Sequence, residues 1–210
     1  MKVKSLIKKK YKTLYLFITH EIDYSKTLNK CIENYSDYLI VIGGHKSNYL
    51  QENTLYLNAN DSYDGLPEKV YKAMKYVVTD EALKDYTHIC KLDSDMIIKK
   101  VFDQQILSKN EYFGIVQREE GNRSWGKEKF TENSKFKYQD YEGIFVPWCL
   151  GGYGYVVSFN AIKQIVEDNI NFNDEPYEDL LIAKLLNRKK IYPNNFKNLS
   201  KYVDSPFHKY

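Results

Sequence analysis

The sequence predicts an α/β fold in which a mostly parallel sheet is flanked by helices. Apolar segments of strand length alternate with segments whose apolar residues recur at helical spacing, a pattern typical of βα units. The chain has 210 residues, of which 43% are hydrophobic, so it can bury one sizeable core. Because no Pro-, Gly- or Ser-rich linker divides the chain, we expect one domain over residues 1–210.

The predicted elements of the first half follow from these patterns in order. A continuous apolar run at 13–19 predicts a strand buried on both faces, and further runs predict strands at 39–42, 54–57 and 87–92. Helical spacing of apolar residues predicts helices over 24–35 and 66–83, and Pro67 suits the first turn of the second helix.

The second half is less regular. We predict strands at 112–117, 143–148 and 154–159, and helices at 160–168 and 176–186. Between the first two strands, residues 118–142 are strongly charged, and a long polar loop of this kind is usually functional or mobile.

Composition excludes several function classes. The formal net charge of +3 is too small to predict nucleic-acid binding. Cys31, Cys90 and Cys149 are far apart and form no disulfide framework, so we expect a reducing compartment. No apolar run approaches the roughly 18 residues of a transmembrane helix, and residues 1–15 lack the apolar region of a signal peptide. We therefore expect a soluble, cytoplasmic protein, located in the host cytoplasm if the chain is viral.

The most informative segment is Asp93-Ser94-Asp95, which follows the predicted strand at 87–92. In an open α/β sheet, ligands bind at the carboxyl ends of the strands. Two carboxylates at this edge form an oxygen-rich site that suits Mg²⁺ or Mn²⁺ carrying a diphosphate. The alternative is a polar strand end followed by a helix cap, since the chain has 28 acidic residues.

Other polar and glycine-rich segments occur in a distinctive order around this strand end. They are Asp61-Ser62-Tyr63 with Leu66 and Lys69, Gly151-Gly152-Tyr153-Gly154-Tyr155-Val156-Val157-Ser158, Glu178-Asp179, and Pro206-Phe207-His208. With Lys-Leu-Asp-Ser-Asp-Met at 91–96, this series resembles the β-1,3-glycosyltransferase superfamily, which includes galactosyltransferases, N-acetylglucosaminyltransferases and Fringe-type enzymes. The resemblance covers about residues 54–186 and the late histidine.

The resemblance implies a GT-A fold, with a Rossmann-like sheet and an Asp-x-Asp motif at a strand end. It further implies a nucleotide-binding half at 1–110 and an acceptor and catalytic half at 111–210. The implied reaction is a metal-dependent, inverting transfer of a hexose or N-acetylhexosamine from a UDP-sugar to a hydroxyl of a glycan or glycoconjugate, in β-1,3 linkage. The implied cofactor is Mn²⁺ or Mg²⁺.

The metal would be held by carboxylates and an imidazole. Asp95 is the expected ligand, and Asp93 either binds the metal through water or holds the donor. His208 is a candidate second ligand because a neutral imidazole binds Mn²⁺ well. A histidine in a frayed tail is the alternative for His208.

Asp179 is the expected general base, which would take the proton from the attacking hydroxyl. Glu178 would orient Asp179 or the acceptor. The structural alternative is that both acids merely favour the N-terminus of a helix.

The remaining candidate residues would contact the substrates. For the nucleotide sugar they are Thr19, His20, Asp61, Lys69, Asp93, Ser94, Gly151 and Gly152, where the glycines allow close approach of the backbone. For the acceptor they are Trp125, Trp148 and Arg123, because indole rings can stack on a sugar face. A core position is the alternative for Trp148, and a surface cap or an exposed helical lysine is the alternative for Asp61 and Lys69.

Three other functions remain open from the sequence. A retaining GT-A glycosyltransferase shares the Asp-x-Asp motif, but Glu178-Asp179 favours inversion. A sugar-nucleotide pyrophosphorylase would need a glycine-rich loop after the first strand, where the chain has Thr19-His20-Glu21. A catalytically inactive carbohydrate- or nucleotide-binding module is the third, and the presence of Asp93, Asp95, Asp179 and His208 together argues against it.

Overall fold

The computed structural model describes residues 10–118 and 126–205. Within them the chain forms twelve strands, which are β1 (Thr13–Ile18), β2 (Tyr38–Ile42), β3 (Tyr49–Gln51), β4 (Thr54–Tyr56), β5 (His88–Asp93), β6 (Ile97–Ile98), β7 (Tyr112–Gly114), β8 (Val116–Gln117), β9 (Trp148–Cys149), β10 (Tyr155–Ser158), β11 (Asn194–Asn195) and β12 (Val203–Asp204). The same residues form six α-helices, which are α1 (Tyr24–Asn34), α2 (Leu66–Thr79), α3 (Gln104–Lys109), α4 (Lys135–Tyr138), α5 (Phe159–Lys163) and α6 (Glu178–Arg188).

Eight strands form one sheet in the order β11-β7-β10-β5-β1-β2-β4-β3. The central strands β5, β1, β2 and β4 run parallel, and β10 runs antiparallel between β5 and β7. The register pairs Ile18 with Asp93, so the carboxyl ends of β1 and β5 lie side by side. The predicted α/β class with a mostly parallel sheet flanked by helices is confirmed.

Two apolar layers bury the sheet. Leu14 and Leu16 of β1 pack in a layer that includes side chains of α2, α5 and α6. Tyr15 and Phe17 belong to the opposite layer, which includes side chains of α1 and α3. Because successive side chains of a strand point to opposite faces, a central strand covered by helices on both sides is apolar throughout.

The strand predicted at 143–148 is wrong. Only Trp148 of this segment lies in a strand, β9, which pairs with β8. Pro147 has no amide hydrogen to donate to a neighbouring strand. The ring of Phe145 packs against Tyr141 and Trp148, whereas Ile144 is 76% exposed, so this apolar run is neither paired as a strand nor fully buried.

Other boundaries shift for local reasons. The helix predicted over 66–83 ends at Thr79, because Asp80 accepts a hydrogen bond from the amide of Ala82 (2.8 Å) and begins a 3-10 turn. The strand predicted at 112–117 divides into β7 and β8. Strand β3 and helix α3 are short elements with no clear apolar pattern. Among the described residues, no helix has the length and apolar character needed to cross a membrane.

Candidate active site

The Asp93-Ser94-Asp95 segment lies at the carboxyl edge of the parallel strands. Asp93 is the last residue of β5, and Ser94 and Asp95 form the turn that follows. The carboxylate of Asp95 accepts a hydrogen bond from the hydroxyl of Ser205 (3.3 Å), the residue that follows β12. The C-terminal part of the described chain therefore lies directly against this turn.

Lys30 of α1 holds the same turn through its backbone. Its ammonium group donates hydrogen bonds to the carbonyl oxygens of Ser94 and Met96, the second at 2.7 Å. Burial lowers the pKa of Lys30, and the nearby charge of Asp95 opposes that shift. A side chain from a distant helix thus fixes the backbone between the two carboxylates.

A cavity of about 690 Å³ opens beside this turn, and we call it the strand-end cavity. It brings together residues that the sequence places far apart, namely Ile18, Thr19, His20, Glu21, Ile22, Asp61, Ser62, Tyr63, Leu66, Lys69, Asp93, Ser94, Asp95 and Lys129. The predicted nucleotide-sugar contacts other than the two glycines are all among them. Its volume lies in the range typical of small-molecule sites.

Asp61 and Lys69 form an ion pair in the wall of the strand-end cavity. The buried ammonium of Lys69 donates to Asp61 Oδ1 (2.7 Å) and to the carbonyl of Thr19 (2.8 Å). Asp61 also accepts hydrogen bonds from the amides of Gly43 (2.8 Å) and Glu21 (3.0 Å). Burial raises the pKa of the Asp61 carboxyl, but Lys69 and the amide donors outweigh it and leave this pKa below its usual value. The pair fixes the ends of β1 and β2 relative to α2.

A second cavity of about 390 Å³ adjoins the first, and we call it the acid-pair cavity. The two cavities share four lining residues, Tyr63, Leu66, Asp93 and Lys129. The acid-pair cavity is also lined by the glycine-rich segment 150–153 and by the start of α6. Asp93 therefore stands between the strand-end cavity and the two acids of α6.

Glu178 is tied to two strong hydrogen-bond donors. Its Oε1 lies 2.8 Å from the ammonium of Lys91, and its Oε2 accepts a hydrogen bond from the hydroxyl of Tyr155 (2.8 Å). Burial raises the pKa of the Glu178 carboxyl; the charge of Lys91 opposes the shift, and the charge of Asp179 adds to it. Glu178 is thus held in one orientation from both sides.

Asp179 is held by backbone amides. Its Oδ2 accepts a hydrogen bond from the amide of Gly151 (3.0 Å), and its Oδ1 accepts one from the amide of Leu180 (2.8 Å). A Cβ atom at Gly151 would lie 2.3 Å from Glu178 Oε1, so only glycine allows the acid pair to approach this segment. Gly151 and Gly152, predicted to contact the nucleotide sugar, lie in the wall of the acid-pair cavity.

Lys91 is a site residue that the sequence reasoning missed. It is 1% exposed and lies 2.5 Å from Asp93 Oδ1 as well as 2.8 Å from Glu178. Burial lowers the pKa of this ammonium, but the charges of Asp93 and Glu178 outweigh burial and raise it above the ordinary value. The available signal was a charged residue two positions before Asp93 in an apolar strand, a spacing that places both side chains on one face.

The predicted acceptor contacts have different outcomes. Trp148 is 1% exposed and packs against Phe145 in the core. It therefore occupies the core position that was the alternative to an acceptor contact, and no face of its ring opens to either cavity. Arg123 and Trp125 lie outside the described residues, as does the predicted metal ligand His208.

The chemistry of the carboxylates fits Mg²⁺ or Mn²⁺. Residues 10–118 and 126–205 contain no group of three or more His, Cys, Asp or Glu side chains placed to hold a metal ion. Asp93 and Asp95 nevertheless supply two hard oxygen ligands beside a large cavity. Mg²⁺ is commonly bound by one or two carboxylates, with water and substrate phosphates in its other positions. The two carboxylates therefore fit such a cation.

Comparison with known proteins gives one strong result. The family model described as Galactosyltransferase matches residues 44–197, which is well over half of the chain. No curated protein sequence matches the chain.

Two solved structures are distantly similar to the chain. The crystal structure of A197 from STIV is 12% identical and has a TM-score of 0.42, with 87% of this chain and 81% of that chain covered. A putative glucose-1-phosphate thymidylyltransferase from Bacillus anthracis, solved in complex with a sucrose, is 11% identical and has a TM-score of 0.43, with 89% and 87% covered. Likenesses of this strength say nothing about function. Because the family match spans the Asp-Ser-Asp turn, the glycine-rich segment and the acid pair, the chain belongs to the galactosyltransferase family and is a glycosyltransferase, an enzyme with a sugar donor and a glycan acceptor.

Proposed function

We propose that this glycosyltransferase is metal dependent and inverting, and that it moves a hexose or N-acetylhexosamine from a UDP-sugar to a hydroxyl of a glycan or glycoconjugate in β-1,3 linkage. The observation that carries the proposal is the pair of adjoining cavities with Asp93 at their junction. One cavity offers carboxylates for a diphosphate-bound cation, and the other offers a pair of acids.

The donor would occupy the strand-end cavity. Asp95 and Asp93 would hold Mn²⁺ or Mg²⁺, and His208 is the proposed further ligand. Ser205, which precedes His208 by three positions in the sequence, contacts Asp95. A divalent cation, when bound there, neutralises charge that develops on the leaving diphosphate. Thr19, His20, Asp61 and Ser94 line the space proposed for the nucleotide.

The acceptor would occupy the acid-pair cavity. Its hydroxyl oxygen forms a bond to the anomeric carbon while the bond from that carbon to the diphosphate oxygen breaks, and UDP leaves with the electron pair. Asp179 takes the hydroxyl proton. Glu178, which Lys91 and Tyr155 hold in place, positions the acceptor or Asp179.

Two further acceptor contacts are proposed from the sequence that precedes Gly126. Gly126 and Lys129 line the acid-pair cavity, and Trp125 directly precedes Gly126. Trp125 is proposed to stack on a sugar face, and Arg123 is proposed to bind an anionic group of the acceptor.

The first experiment is UDP release from a panel of UDP-sugars by the purified protein, with and without Mn²⁺. We expect release from one sugar only when the metal is present, and loss of that release in Asp95→Ala. The matched control is Asp85→Ala, which removes an exposed acid before β5. Release without metal, or full activity of Asp95→Ala, would contradict the metal dependence.

Stereochemistry needs a separate measurement. Proton NMR of the product formed from the identified donor gives its anomeric configuration. A β product from an α-linked donor supports inversion, and an α product would overturn the inverting mechanism and the role of Asp179 as base.

A further inference from the structure

Lys91 is a positive charge inside the sheet. The residue lies in β5 and is 1% exposed, and a buried ammonium is tolerated only when it is paired. Its Nζ lies 2.5 Å from Asp93 Oδ1 and 2.8 Å from Glu178 Oε1, and it donates a hydrogen bond to the carbonyl of Gly151 (3.3 Å). One ammonium thus joins three different elements that border the two cavities, which together we call the cleft.

These partners connect the two cavities. Asp93 lines both cavities, whereas Glu178 and Gly151 line only the acid-pair cavity. The amide of Gly151 in turn donates to Asp179 Oδ2 (3.0 Å). A continuous path of short contacts therefore runs from Asp93 through Lys91 to both acids of α6.

We propose that Lys91 is a positioning residue that fixes the distance between Asp93 and the acid pair Glu178-Asp179, and with it the distance between the donor sugar and the base. This inference rests on the proposed function. Without the ammonium, three neighbouring carboxylates would repel one another. The carbonyl of Gly151 would also lose its donor, so the segment that orients Asp179 would be less well held.

The reaction with a glycan acceptor depends on this spacing more than donor hydrolysis does. Transfer needs the acceptor oxygen, the base and the anomeric carbon in one arrangement, and a misplacement of about 1 Å can lower the rate by about 100-fold. Water is small and can approach the anomeric carbon from several directions. We therefore expect loss of Lys91 to lower transfer much more than hydrolysis.

The test compares Lys91→Met with the wild-type protein. Methionine keeps much of the length of the side chain and removes its charge. The measurements are kcat and KM for transfer, the rate of UDP release without acceptor, and binding of UDP in the presence of Mn²⁺. We expect kcat for transfer to fall by about 100-fold, with a much smaller fall in hydrolysis. Binding of UDP with Mn²⁺ should persist, because Asp95, the expected metal ligand, is held by Ser205, and the substitution does not remove this contact.

The matched control is Lys184→Met. Lys184 also pairs with a glutamate, Glu175, and donates to the hydroxyl of Tyr141, but it lines neither cavity of the cleft. We expect Lys184→Met to leave the ratio of transfer to hydrolysis unchanged. An equal fall of both rates in Lys91→Met would mean a merely structural role and would overturn the proposal.

A second pair of variants covers the case in which Lys91→Met does not fold. Glu178→Gln is compared with the double variant Lys91→Met/Glu178→Gln, which leaves fewer unpaired charges. A lower ratio of transfer to hydrolysis in the double variant than in Glu178→Gln supports the proposal, and equal ratios refute it. If the wild-type protein binds no UDP and releases none from any UDP-sugar, the proposed function itself fails, and this outcome is distinct from failure of the role of Lys91.

Discussion

Three buried or half-buried lysines show how single residues shape this cleft. Lys30 holds the backbone on both sides of Asp95, Lys69 joins Asp61 to the end of β1, and Lys91 joins Asp93 to Glu178. Each ammonium pairs with oxygen atoms that water would otherwise solvate. The spacing of Lys91 from Asp93 was a local signal that could have identified Lys91, but Lys30 lies 64 residues from its partner Ser94 and has no local signal.

The roles proposed for the two acids lead to a prediction at the residue scale. Asp179→Asn keeps the size of the side chain and removes its basicity. We expect kcat for transfer to fall by about 10²–10⁴-fold, the range for general-base catalysis, while binding of UDP with Mn²⁺ stays near the wild-type level. Steady-state kinetics and isothermal titration calorimetry measure the two quantities.

The matched variant for this prediction is Glu178→Gln, which keeps a hydrogen-bonding group beside Tyr155 and Lys91. We expect a smaller loss of kcat, because Glu178 is proposed to orient other groups. A larger loss in Glu178→Gln than in Asp179→Asn would identify Glu178 as the base instead.

At the scale of elements, apolar pattern alone predicts the central sheet well. Strands β1 and β2 are buried on both faces, so their sequences are largely apolar and leave little ambiguity. The run at 143–148 is also apolar, yet most of it forms an irregular segment in which Phe145 packs against Trp148 while Ile144 is exposed. Tertiary packing, which the local pattern does not contain, decides between the two outcomes.

The segment that follows β9 gives a prediction at this scale. Gly151→Ala would place a Cβ atom 2.3 Å from Glu178 Oε1 and 3.3 Å from the Cβ atom of Asp179, so the start of α6 must shift. We expect a loss of about 1–3 kcal/mol in the free energy of unfolding, as for overpacked interiors, and a loss of transfer activity.

Urea unfolding and transfer kinetics test this prediction. Gly152→Ala is the control for stability, because Gly152 is outside the left-handed region of φ and belongs to the same 3-10 turn. Equal stability of the two variants would mean that α6 is not held against this turn as closely as the structure indicates.

At the scale of the whole molecule, the cleft is built from both halves of the chain. The first half contributes Thr19, Asp61 and the Asp93 turn, and the second half contributes Gly151 and the acid pair. Motif order points to these residues, but it does not point to Lys91. It does not predict that Asp93 borders both cavities, because that depends on how α6 packs beside β5 and β9.

Charge pairs that hold the cleft together also make the stability of the molecule depend on pH. The pKa of Asp61 is lower in the folded protein than in the unfolded chain, because Lys69 and two amides outweigh the effect of burial. Such a group stabilises the fold fully above its unfolded pKa of about 3.9. The stabilisation is lost as the pH falls through the lower pKa of the folded state. Stability should therefore decline below about pH 4.

Asp61→Asn tests this last prediction by removing the titrating group. We expect the variant to be less stable than the wild-type protein at pH 7, because Lys69 stays buried without its carboxylate. The difference in the free energy of unfolding should shrink as the pH falls below about 4, where the wild-type carboxylate becomes protonated. Urea unfolding from pH 7 to pH 3 measures both curves, with the exposed Asp85→Asn as control. Two parallel curves over this range would show that the pairing of Asp61 with Lys69 contributes nothing to acid sensitivity, and that the wall of the strand-end cavity is held chiefly by its apolar neighbours.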